Sequence, residues 1–73
     1  MPKTEMPNAL MSAKIDEEVV AEIVWNDDRG LYEVINHLTE SSLYNRGGDR
    51  LIQDWNFTLH FIERKMGKKP VIQ

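Results

Sequence analysis

The sequence predicts an all-α fold: a helical hairpin with a shorter third helix before it, forming a small bundle that self-associates. Three observations predict it. Residues 49–67 place Leu51, Ile52, Trp55, Leu59, Ile62 and Met66 at steps of three and four, which gathers them on one side of a helix. Leu31, Val34, Ile35, Leu38 and Ser42 step the same way, with Leu43 on the flank and Glu33, Asn36, His37 and Glu40 opposite. Between the two, Tyr44-Asn45-Arg46-Gly47-Gly48 carries the residues of a chain reversal.

In chain order, residues 1–14 contain Pro2 and Pro7 and no sustained period. They are expected to form an arm, with Met6, Leu10 and Met11 apolar enough to dock on a neighbour. Residues 15–67 are expected to be the helical domain and residues 68–73 a basic tail. Within 15–25, Asp16 reads as an N-cap, with Glu17 and Glu18 in the first turn of a short helix. Val19, Val20, Ile23 and Val24 would form its apolar face. The competing reading is a hairpin of residues 9–15 with 19–25, favoured by β-branched content. Asp-Glu-Glu lacks the usual hairpin-turn residues, so helix is preferred.

Asn26-Asp27-Asp28 breaks that segment and caps the next, so residues 28–43 should pack against residues 49–66. Asp49 stands where the last helix needs its N-cap. Arg64 and Lys65 suit its last turn, Gly67 its left-handed C-cap, and Pro70 stops it. Between Asp16 and Asp28 lie six acids and no base, whereas Arg64, Lys65, Lys68 and Lys69 crowd the other end. That asymmetry can draw the two ends together.

Composition bounds the function. At 73 residues with no cysteine, the chain has neither disulfides nor thiolate metal sites, and its core is near the lower limit for an independent fold. Association is therefore expected. A net charge of −3 opposes general nucleic-acid binding. No apolar run approaches the roughly 20 residues that span a bilayer, and the N-terminal stretch lacks a signal-peptide core. The expectation is a cytoplasmic protein. Asn56-Phe57-Thr58 matches a glycosylation acceptor but sits mid-helix, and is read as coincidence.

No constellation of an enzyme emerges, and no cofactor is expected. His37-x-x-Glu40 and His60-x-x-Glu63 have metal-pair spacing, yet both fall off their apolar stripes, so no metal site is assigned. The informative feature is Phe57 with Phe61. At about 100° per residue they lie near 240° and 280°, off the main stripe that begins at Leu51, and four apart they neighbour each other. The expected function is thus a non-enzymatic protein-interaction module: an inhibitor, adaptor or accessory subunit. It would bind a protein partner, or itself, through Phe57 and Phe61 with Trp25 and Tyr32. The alternative is a small-ligand, nucleotide or anion binder at a subunit interface, using Arg46, Arg50 and His60.

Overall fold

Alternation, rather than helical period, governs the chain from Ala9 to Asn45. In the computed structural model, which describes residues 9–73, this stretch forms four strands: β1 (Ala9–Ile15), β2 (Glu18–Asn26), β3 (Leu31–Asn36) and β4 (Ser41–Asn45). One helix follows, α1 (Gly48–Met66), and then a two-residue strand β5 (Val71–Ile72). The sheet is antiparallel throughout, in the order β4-β3-β2-β1-β5, and α1 lies on one face over β3, β2 and β4. The fold is α+β. The all-α bundle and its helical hairpin are overturned: residues 15–25 form the turn and strand of the competing hairpin with residues 9–15, and residues 28–43 form the β3–β4 hairpin.

The error has a physical cause. β3 is apolar on both faces: Tyr32 and Val34 point toward α1, while Leu31 and Ile35 point away. Leu31, Val34 and Ile35 therefore show a three-four spacing assembled from two faces. In β2 the register against β1 slips beside Lys14, so Val20 and Ala21 are both buried although adjacent. That slip destroys the simple alternation by which a strand is recognised.

The turns explain how the hairpins close. Asp16 and Glu17 join β1 to β2 with φ of 53° and 69°, the left-handed pair of a two-residue hairpin turn that normally carries Asn-Gly. The other two loops share one design at a ten-residue spacing. Asn26 Oδ1 accepts from Arg29 N (3.0 Å), and Asn36 Oδ1 accepts from Leu38 N and Thr39 N (2.9 and 3.3 Å). Each loop ends on a left-handed residue, Gly30 in the first and Glu40 in the second. Asn-Asp-Asp-Arg-Gly advertises its turn, whereas Asn-His-Leu-Thr-Glu does not.

Helix α1 was legible in the sequence, with one change at its start. Gly47, not Asp49, is the N-cap; its φ is 108°, and a Cβ there would stand 2.9 Å from the Tyr32 ring. Asp49 lies in the first turn instead. Gly67 closes the helix in the left-handed conformation, its N–H donating to Glu63 O at 2.8 Å. Trp55, Thr58 and Ile62 are the buried stripe and meet Ala13, Ile15, Val20, Ala21, Ile23 and Val34 in a single cluster. Residues 1–8 of the expected arm lie outside the described residues, and residues 9–14 belong to β1. The tail forms β5 along β1, and Lys68 Nζ donates to Asp16 Oδ2 at 2.8 Å, so the basic and acidic ends do meet. Among the described residues no helix is long and apolar enough to cross a membrane.

A non-glycine residue in the left-handed region costs about 1–2 kcal/mol. Glu17→Gly should therefore raise stability by about 1 kcal/mol, roughly 4–8 °C in Tm for a domain of this size. A thermal melt followed by circular dichroism checks this, and an unchanged or lower Tm would refute the strained-turn account.

Candidate functional site

With α1 covering one face, the sheet leaves three surfaces free: its open face, the β4 edge, and the margin made by β5 and the rest of β1. The open face presents Glu22, Val24 and Asn26 from β2, Leu31, Glu33 and Ile35 from β3, and Ser42 and Tyr44 from β4. Polar side chains on it are mutually satisfied. Ser42 Oγ donates to Glu33 Oε2 at 2.8 Å, Asn26 Nδ2 donates to Glu33 Oε1 at 3.3 Å, and His37 Nε2 lies 2.7 Å from Glu22 Oε2. Arg29 rests its guanidinium 4.6 Å above the Tyr44 ring. Apolar and hydrogen-bonded residues thus alternate, as suits an antiparallel face turned to water. Its one hollow among those described holds about 400 Å³ between Val24, Trp25, Asn26, Asp27, Asp28 and Glu33. Three carboxylates on its wall repel phosphates and other anions.

The β4 edge is different. Among the described residues β4 pairs with β3 alone, leaving the backbone groups of its other side without strand partners. The strand, Ser-Ser-Leu-Tyr-Asn, has no charge, no proline and no register slip. Asn45, buried, ties it to the helix: its Nδ2 donates to Asp54 Oδ2 at 2.8 Å, and its Oδ1 accepts from Gly47 N at 3.1 Å. That bond fixes which flank of α1 overlooks the edge. Phe57 and Phe61 follow Asp54 by three and seven residues, so they stand on the same flank. On the strand, Leu43 shares Asn45's side of the sheet. Leu43 is 41% exposed and Phe57 66% exposed, whereas Phe61 is half-buried against the core with Lys65 Nζ 6.0 Å from its ring centre.

The expected site residues fare unequally. Phe57 and Phe61 share a flank but not an environment, since one is free and the other packed. Trp25 and Tyr32 sit together at the far end of β2 and β3, with ring centres 5.0 Å apart edge to face; Trp25 Nε1 donates to Asp27 Oδ1 at 2.7 Å. Tyr32 backs onto Gly47 and packs against the core, so it supports the β4–α1 connection. Arg46, Arg50 and His60 are all exposed but are not brought together. Ten residues of helix put His60 about 15 Å along the axis from Arg50. His37 and Glu40 lie in the β3–β4 loop and His60 and Glu63 on α1, and among the described residues no three His, Asp or Glu side chains converge as a metal site would need.

Leu43, Asn45 and Asp54, which build the β4 edge and tie it to α1, are the residues that the sequence reading missed. The available signal was the Asn before the Gly-Gly pair. A buried Asn beside a helix start needs partners for both ends of its amide, and the first polar residue on the helix's inner flank supplies one.

The two phenylalanines should separate on mutation. Phe57→Ser should leave Tm within a degree or two, as for other exposed positions, while Phe61→Ser should cost about 1–3 kcal/mol through lost packing. Paired urea melts check this, and equal losses would place Phe57 in the core. Compared with protein-family models, with curated proteins and with solved structures, the chain matches none, and the functional reading rests on its geometry.

Proposed function

We propose that the chain is a non-enzymatic protein-interaction module whose contact surface is the β4 edge together with the α1 flank above it. The observation that carries this reading is Phe57, two-thirds exposed, on the α1 flank that Asp54 ties to Asn45 of an uncharged edge strand whose Leu43 is also exposed. A large aromatic held on a rigid helix loses little conformational entropy on contact and removes much apolar area from water. The strand edge adds directional backbone hydrogen bonds, the means by which an incoming strand extends a sheet. Anchor and edge lie on one side of the molecule, so a single partner segment can use both.

The described buried side-chain polar atoms all have hydrogen-bond partners, so no buried polar group waits on a ligand. Phosphate binding is opposed by Glu22 and Glu33 on the open face and by Asp27 and Asp28 at its corner.

The test is affinity capture with the full chain immobilised, wild type against Phe57→Ser, with every bound protein identified, including the chain itself. Loss of a bound species in the variant, at unchanged melting temperature, is the expected result. Identical bound sets from the two proteins would end the proposal.

A further inference from the structure

The β4 surface has a property that selects its occupant. In antiparallel pairing, residues directly opposite share a face of the sheet. For β4 against another β4, the paired residue numbers must then sum to an even value, and the two-fold axis runs midway between the two strands, level with one residue that pairs with its own copy. Only the register centred on Leu43 overlaps all of Ser41–Asn45 with itself. In that register Ser42 faces Tyr44 of the second copy and Ser41 faces its Asn45. One step beyond the strand, Glu40 comes level with Arg46 of the second copy, twice by symmetry. The only charges flanking this strand are therefore opposite in sign at its two ends and meet their complements when the strand pairs with itself. Both side chains are exposed and have no ion-pair partner among the described residues.

We infer that the occupant of the β4 edge is a second copy of this chain, joined antiparallel about Leu43 into a continuous ten-stranded sheet. The count is the five strands of one chain doubled. The two-fold axis stands perpendicular to the sheet, so both helices lie on the same face. Their flanks carrying Phe57 and Phe61 then look at each other across the seam, with the two Leu43 side chains beneath. Pairing satisfies the outward backbone groups of β4 and covers Leu43 and Phe57 together. The other margin is stepped, because β5 pairs β1 only at Ala13 and Lys14, so it presents no single uninterrupted strand as β4 does. This inference rests on the contact reading above and names the partner of that same surface.

The test is sedimentation velocity on the full chain across a wide concentration range, for wild type, Glu40→Arg and the double variant Glu40→Arg with Arg46→Glu. Circular dichroism confirms that each is folded. Wild type should pass from 8.5 kDa monomer to dimer as concentration rises. Glu40→Arg sets two pairs of like charges across the seam and should weaken the dimer by about tenfold or more. The double variant restores opposite charges and should recover most of the affinity. Leu43→Lys, on an already exposed site, should abolish the dimer without unfolding the chain. A dimer indifferent to both the charge reversal and Leu43→Lys would overturn the inference, because the copies would meet elsewhere. A monomer at every concentration would overturn it too. If that monomer still captured a foreign protein through Phe57, the contact reading would stand while the self-pairing fell; without such capture both would fall.

Discussion

One packing contact holds the fold together: the seating of Trp55, Thr58 and Ile62 on the sheet face built from Ala13, Ala21, Ile23 and Val34. Ala13 and Ala21 stand directly opposite each other on neighbouring strands, and neither has exposed surface. Small side chains there give the larger Trp55 and Ile62 depth to sink into, and interiors close-packed in this way lose heavily when a methylene is removed. Only Ile62 and Val34 among the larger described side chains are fully buried. With so few such residues, the contact of helix and sheet is the core.

The remaining devices keep that contact in register. Asn45 bonds at once to the helix through Asp54 and to the chain reversal through Gly47, which settles how α1 leaves the sheet. Gly47 carries no Cβ because Tyr32 fills the space. At the other end the left-handed Gly67 releases the chain, and Lys68 reaches Asp16 before β5 joins β1. An exposed ion pair of this kind is worth only about 0–1 kcal/mol, so β5 is held chiefly by its ladder. The two Asn-led loops fix the hairpins between these ends.

What could be read from the sequence follows this division of labour. Helix α1 was legible because one buried stripe dictates its composition, and its C-terminal glycine has few other uses. The strands were not, because the open face also carries Val24, Leu31 and Ile35 beside Glu22, Asn26 and Glu33. A strand that is apolar on both sides loses its period of two and can mimic a helix. Turn chemistry misled in the same direction: Asp16-Glu17 and Glu40 occupy backbone conformations usually given to glycine. Of the residues in the proposed contact surface, Phe57 was visible as an aromatic off the helix stripe. Leu43 was not, since its exposure follows from lying on an edge strand, and strand order is not written in local pattern.

The surface is then understood by asking what is left without a partner. The open face settles its polar groups internally, with Glu33 held by Ser42 and Asn26 and His37 set against Glu22, so water can cover it at little cost. The hollow at its corner is walled by carboxylates and offers an anion nothing. The margin made by β5 and β1 is stepped. The β4 edge combines a five-residue strand, unpaired on its outer side, with exposed Leu43, and it lacks the inward charge, proline or bulge by which sheet proteins commonly blunt an edge. Its charges, Glu40 and Arg46, sit outside the strand, where they do not obstruct pairing and can choose its direction. A parallel partner of the same sequence would set Glu40 beside Glu40 and Arg46 beside Arg46, whereas an antiparallel one joins opposites. The sequence around β4 therefore favours antiparallel over parallel pairing of the strand with its own copy.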